Sequence, residues 1–300
     1  MKTRREFIKS TSFLAAASLA VRPSLHAAHH EKWFDISLAQ WSLHRAFRGG
    51  EKDAMDFARI AKRDFGIAAI EYVNQFYMEN FTPQIVSELK KRSKGEGVDN
   101  TLIMCDRLGR LGDPEKAARI KTVDNHKVWA DAAKELDCHS IRVNAGSAGS
   151  YSEQMKLAAD GLSRLGDFGD SIGINVIVEN HGGLSSNGAW LAGVMKLANH
   201  PRVGTLPDFG NFIIDRSTGE SYDRYKGTRE LMPYAKGVSA KSHDFDEKGN
   251  EIHTDFKRML KIVKDAGYRG YIGVEYEGKG LGEADGIRAT KKLLQQLGGR

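Results

Sequence analysis

The chain has 300 residues, 28% charged and 40% hydrophobic, an ordinary globular composition that excludes wholesale disorder. Six Pro and two Cys exclude a collagen-like chain and a disulfide scaffold. A formal charge of +6 invites a nucleic-acid partner until that charge is located.

Much of it sits at the N-terminus. Met1-Lys-Thr-Arg-Arg-Glu-Phe-Ile-Lys9 precedes an apolar stretch, Phe13 to Val21, and small residues at Ala27 and Ala28. Basic, apolar and small-residue regions in that order are the parts of a secretory signal. Thr3-Arg4-Arg5-Glu6-Phe7-Ile8-Lys9 closely resembles the twin-arginine export motif. The apolar stretch is too short to span a bilayer. Residues 1–28 hold five bases and one acid, so the rest of the chain carries 40 basic and 38 acidic residues, a net of +2. The expectation is a signal peptide over 1–28, the twin-arginine machinery as partner, a periplasmic location and no nucleic-acid footprint. Such export moves a folded protein, so Cys105 and Cys138 need no oxidising compartment. They lack metal-ligand spacing and are expected as buried free thiols.

Past residue 34, eight β-rich runs follow one another: 36–40, 67–71, 101–105, 140–144, 174–179, 203–208, 237–241 and 271–275. Their starts lie 29 to 39 residues apart, close to one βα unit each. Between them, Ala54, Phe57, Ala58 and Ala61 recur at helical spacing, as do Phe256, Met259, Leu260 and Val263. Gly66, Gly173 and Gly267 stand where helix C-caps belong. Eight strands alternating with helices predict a single (β/α)₈ barrel over about 33–297. A doubly wound open sheet is the alternative, but no Gly-rich nucleotide loop follows the first strand.

In a barrel the C-terminal strand ends form the active face. Those ends carry Gln40 and Trp41, Glu71, Arg142 and Asn144, Glu179-Asn180-His181, Asp208 to Asn211, Lys241 to Asp244, and Glu275-Tyr276-Glu277. Carboxylates at matched places on apolar strands are costly unless paired or metal-bound. Glu179, Asp208, His243 and Glu275, on four successive strands, are expected to converge on one divalent ion: Mn²⁺ first, with Mg²⁺, Co²⁺ or Zn²⁺ as alternatives. His181 and Lys241 are candidate hydroxyl or oxyanion contacts. Trp41 is placed to stack on a sugar face or to pack. Glu71 either touches substrate or pairs with Arg142. Asn144 and Asn211 complete the candidate substrate contacts, and His126 is read as structural.

Val178-Glu179-Asn180-His181-Gly182-Gly183, Pro207-Asp208-Phe209-Gly210-Asn211, Ala240-Lys241-Ser242-His243-Asp244-Phe245-Asp246 and Gly273-Val274-Glu275-Tyr276-Glu277-Gly278 fall in order at strand ends. With Asp124 to Trp129 and Ile141 to Asn144, they resemble the sugar phosphate isomerase/epimerase family, which has a xylose-isomerase-like TIM barrel. That family includes exported members. The resemblance implies a metal held by Glu179, Asp208, His243 and Glu275, with Glu179 and Glu275 also serving as the acid/base pair. The family's ketose 3-epimerases often carry a second Glu, a His and an Arg where this chain has Ser185, Asn211 and Gly249. The metal set is matched and the orienting set for a free ketose is not.

The implied chemistry is abstraction of a proton next to a carbonyl, through an enediolate on the metal, giving isomerisation or epimerisation of a sugar. If a β-substituent leaves, the same step gives elimination from a keto-glycoside. A non-catalytic carbohydrate-binding barrel is a third reading. Related endonuclease barrels need a basic groove, which a net of +2 does not supply.

Overall fold

A computed structural model describes residues 32–300. The expected signal segment, 1–28, lies outside the described residues. Eight parallel strands form the barrel: β1 (Asp35–Ala39), β2 (Ala69–Val73), β3 (Asp99–Met104), β4 (Ser140–Val143), β5 (Asn175–Glu179), β6 (Val203–Leu206), β7 (Val238–Ser242) and β8 (Tyr271–Tyr276). Each of the eight runs expected from the sequence overlaps one of them, with ends that differ by up to two residues. β1 pairs with both β2 and β8, an arrangement that a doubly wound sheet does not have. The ring closes between β6 and β7 through bridges Thr205–Ala235 and Asp208–Ser239. There Ser239 N donates to Pro207 O at 3.0 Å and Phe209 N to Ser239 O at 3.1 Å.

One main helix follows each strand: α1 (Phe57–Phe65), α2 (Pro83–Glu96), α3 (Lys116–Glu135), α4 (Tyr151–Ile172), α5 (Gly188–Ala198), α6 (Arg224–Leu231), α7 (Phe256–Asp265) and α8 (Glu283–Gln296). Local chemistry sets their ends. Ser150 and Glu153 form a reciprocal capping box at the start of α4. Gly66 and Gly173 end α1 and α4 in the left-handed conformation expected of them. A small hairpin, Ile213–Asp215 with Glu220–Ser221, follows β6 and was not foreseen. Among the described residues no helix is long and apolar enough to cross a membrane.

Strand side chains alternate between two faces. Outward residues such as Val176, Val178, Ala240 and Tyr276 join the helices in a large apolar layer. Inward residues form a separate small cluster of Ala39, Val73, Leu102, Met104, Ile177 and Leu206. Many other inward positions are polar: Ser37, Glu71, Arg142, Glu179, Ser239, Lys241 and Glu275, all buried. Hydrophobic packing therefore sits mainly outside the strand ring, and charge is concentrated within it. Cys105 and Cys138 are buried free thiols. His126 is buried with Nδ1 2.7 Å from Thr122 O, a local helix contact that fits its structural reading.

Candidate active site

Glu179 ends β5, Asp208 lies just past β6, and Glu275 lies near the end of β8. All three are buried, and one ligand oxygen from each lies within 4.8 Å of the others. Each carboxylate is held from outside the cluster. Asp208 Oδ1 accepts from the backbone N–H of Gly210 at 2.9 Å and of Asn211 at 2.8 Å. Glu179 Oε1 accepts from Asn211 Nδ2 at 2.8 Å, and its other oxygen faces Arg142 Nη2. Glu275 Oε1 lies 2.9 Å from Lys241 Nζ. Arg142 itself is gripped by Asp106, 2.8 Å away.

Two buried cations thus face three buried acids. For Glu179, burial is the largest influence and favours the proton, but the positive groups around it, Arg142 first and then His181 and Lys241, together lower the pKa. Burial raises Asp208 to about 6 despite the nearby Lys241. It raises Glu275 to about 8, against Lys241 and with help from Glu179 and Asp208. Desolvation opposes charge on Lys241, yet the surrounding carboxylates hold it well above the ordinary lysine value. The two cations leave Asp208 and Glu275 under-compensated. Three hard oxygen donors with surplus negative charge fit a divalent cation.

His243 does not join this group. The inward positions of β7 are 239 and 241, His243 follows the strand's last residue, and steps of two residues along extended chain are roughly 6.7 Å. Ser239 lies at the level of the carboxylates, donating to Asp208 Oδ2 at 2.6 Å. His243 stands two such steps further towards the mouth, where its ring meets His253 edge-on at 5.9 Å.

A cavity of about 440 Å³ opens above the carboxylates, lined by Trp41, Asp106, Arg107, Arg142, His181, Glu275 and Glu277, among others. That volume falls within the range of small-molecule sites. Three expected substrate contacts, Trp41, Arg142 and His181, reach this wall. Trp41 is stacked on His44 at 4.8 Å and donates Nε1–H to Glu277. His181 Nδ1 lies 3.1 Å from Asn144 Oδ1. Glu179 favours a charged His181, but desolvation and the charges of Arg142 and Lys241 lower its pKa, which keeps the imidazole neutral.

The other expected contacts lie behind that wall. Asn211 positions Glu179 and Asp208. Asn144 donates to Asp106 Oδ1 at 2.7 Å. Lys241 is buried and committed to Glu275 and, at 3.2 Å, to Glu277. Glu71 points deeper into the barrel, where Oε1 accepts from Ser37 Oγ at 2.5 Å and Oε2 has no partner. It forms no ion pair with Arg142 within 4.0 Å. Gly273 makes room for it, since a Cβ there would lie 2.4 Å from Glu71 Oε1.

Sequence reasoning missed Asp106 and Ser239, and gave Glu277, named at its strand end, no role. Asp106 follows the β3 run directly, so the strand-end rule that found the other acids applies to it. Glu277 shares the inward parity of Glu275, and its pKa is about 2: burial raises it, while Lys241 and the Trp41 bond lower it further. Ser239 gives no signal except parity.

Fold and site together define a (β/α)₈ barrel with a buried carboxylate centre at the C-terminal ends of its strands. The chain belongs to the xylose isomerase-like TIM barrel family, which it matches over residues 58–297. A segment of 66 residues is 42% identical to the C-glycoside deglycosidase alpha subunit of Arthrobacter globiformis, covering 21% of this chain and 19% of that protein. The fold is similar to that of the 3-keto-D-glucoside 4-epimerase of E. coli, with 15% identity, a TM-score of 0.67, and coverage of 88% of this chain and 99% of that one. It is also similar to a xylose isomerase-like TIM barrel protein from Mycobacterium smegmatis solved in complex with magnesium, with 16% identity, a TM-score of 0.65, and coverage of 88% and 97%.

Proposed function

We propose that this chain is a metal-dependent isomerase or epimerase of a sugar that carries a carbonyl group. The observation that carries the reading is the convergence of Glu179, Asp208 and Glu275, the last of which lines the 440 Å³ cavity. A divalent ion held by these three side chains would polarise the carbonyl and acidify the neighbouring C–H. Glu179 and Glu275 come from β5 and β8, with two strands between them on the ring, so they address the substrate from different sides. One takes the proton and the other returns it. Arg142 keeps Glu179 in its basic form, and the neutral His181 lies on the cavity wall in reach of a substrate hydroxyl. Proton transfer by such groups contributes roughly 10²–10⁴-fold.

A second reading is β-elimination from a keto-glycoside. A side pocket of about 400 Å³, lined by Phe212, Tyr222, His243 and His253 among others, shares Glu277 with the main cavity. It offers room for a substituent on the sugar ring. The segment in common with a C-glycoside deglycosidase subunit favours the same reading. The N-terminal 28 residues support export to the periplasm as part of the proposal, since a keto-glycoside is a plausible extracytoplasmic substrate and a sugar phosphate is not.

The test is solvent deuterium exchange into a panel of keto-sugars and keto-glycosides, with metal content measured on the same sample. Glu179→Gln and Glu275→Gln are each expected to lower exchange by at least ~10²-fold. Release of the glycosidic substituent marks elimination, and an altered sugar marks epimerisation. Unchanged exchange in both variants overturns the proposal. A purified protein without stoichiometric metal favours a barrel that only binds carbohydrate.

A further inference from the structure

We infer that the cation site of this barrel is built from oxygen alone, with Ser239 Oγ as its fourth protein donor and no histidine. This rests on the reading that the carboxylate cluster holds a divalent ion. It goes further by naming the donor set and the class of ion that suits it, hard cations such as Mg²⁺ and Mn²⁺.

Strand closure sets the position of Ser239. The Asp208–Ser239 bridge that seals the ring fixes Ser239 beside Asp208. Inward parity then aims its hydroxyl at the cluster: Oγ lies 2.6 Å from Asp208 Oδ2 and 3.4 Å from Glu275 Oε2. Ser239 therefore touches two of the three acids and is fully buried.

The next inward residue, Lys241, is at the register of Glu275. Its ammonium has no lone pair to give a metal. Instead it ties Glu275 Oε1, leaving Oε2 facing Ser239. Two residues further on, His243 opens onto the side pocket with His253 and Asp244. Its imidazole is not among the side chains whose ligand atoms meet within 4.8 Å, and the strand end that carries it is pinned by the Ser242 hydroxyl, 2.6 Å from Thr290 Oγ1 on α8.

Three carboxylates and a hydroxyl are hard donors. Such sets suit Mg²⁺ and Mn²⁺, and serine or threonine hydroxyls hold Mg²⁺ in phosphate-binding loops. Zinc sites, by contrast, draw on imidazole and thiolate. Removing the nitrogen ligand lowers the preference for Zn²⁺ over Mn²⁺ that an imidazole confers.

The test uses the full mature chain, stripped of metal and titrated calorimetrically with Mn²⁺, Mg²⁺ or Zn²⁺ alone. Ser239→Ala is expected to weaken Mn²⁺ binding about tenfold or more, the scale of losing a group at a metal centre. His243→Ala is expected to leave it within about twofold. Ser239→His is expected to raise the Zn²⁺-over-Mn²⁺ preference by about tenfold. Pulsed EPR of Mn²⁺ bound to the unaltered chain needs no variant and is expected to show no nitrogen modulation from a bound imidazole. Nitrogen modulation, or loss of binding in His243→Ala with Ser239→Ala intact, overturns the donor assignment alone. An unaltered chain that binds none of the three ions overturns both the assignment and the metal reading beneath it.

Discussion

Replacing Glu71 with Gln isolates the energetic consequence of keeping an acid deep inside the barrel. Glu71 is fully buried, bonded to Ser37 through one oxygen and unpartnered at the other. Burial pushes its pKa from 4.5 to about 7, with the Ser37 bond opposing and the charge of Glu179 adding to the rise. A folded-state pKa above the unfolded one means that the folded chain holds the extra proton. The contribution of Glu71 is most favourable below pH 4.5, is lost as pH rises towards about 7, and is level above that. At ~1.4 kcal/mol per pH unit, that span amounts to about 3 kcal/mol. Gln keeps an acceptor for Ser37 and does not titrate. Glu71→Gln is therefore expected to gain about 3 kcal/mol over the original chain between acid and neutral pH. Urea unfolding of both chains at a series of pH values measures the difference. A difference that stays constant across the series, or that shrinks as pH rises, refutes the reasoning.

Two further predictions address the site and the scaffold. Asp208 titrates at about 6 and Glu275 at about 8, so at neutral pH the second still carries its proton. Protons compete with a cation for the same oxygens. Metal affinity should rise with pH up to about 8 and level off above it, with about one proton released per metal bound near neutrality. Calorimetry in two buffers of different ionisation enthalpy counts that proton, and an affinity flat across this range would contradict the titration order. On α4, a Cβ at Gly161 would lie 1.8 Å from Leu111 O, a backbone atom that cannot move cheaply. Despite the better helix propensity of alanine, Gly161→Ala should lose about 2 kcal/mol, read by thermal or urea unfolding. A stability equal to or above that of the original chain would show that the loop around Leu111 yields.

The architecture was legible because parallel strands buried on both faces are runs of Val, Ile, Leu and Ala at βα spacing. Val176-Ile177-Val178 and Tyr271-Ile272-Gly273-Val274 announce themselves in that way. Glu179, Asp208 and Glu275 were legible because acids ending such runs are out of place unless they converge. His243 shows where that logic stops. It has the same parity as Ser239 and Lys241, so alternation cannot say which of the three meet the acids and which does not. The inter-strand register decides it, and register is fixed by the Asp208–Ser239 closure, which joins residues from different βα units. Glu71 was ambiguous for a related reason: whether it looks up into the cavity or down into the barrel depends on Gly273 across β1, which leaves space below it. The side-chain supports, Asn211 behind Glu179 and Asp106 behind Arg142, are likewise tertiary facts.

The separation of packing from charge has a consequence for how readily this protein acquires new chemistry. The apolar layer that joins strands to helices contains none of the site acids, whereas among the described residues the ring interior holds one small apolar cluster of six side chains. Paired substitutions among the inward polar residues leave the hydrophobic layer untouched, whereas removing one partner alone from a buried pair such as Arg142–Glu179 or Lys241–Glu275 costs about 3–5 kcal/mol. The same scaffold can then exchange one acid, base or cation for another without first being rebuilt. Laboratory evolution aimed at new substrates should draw its productive changes from strand ends and the hairpin after β6, and its destabilising ones from the outward positions of the strands.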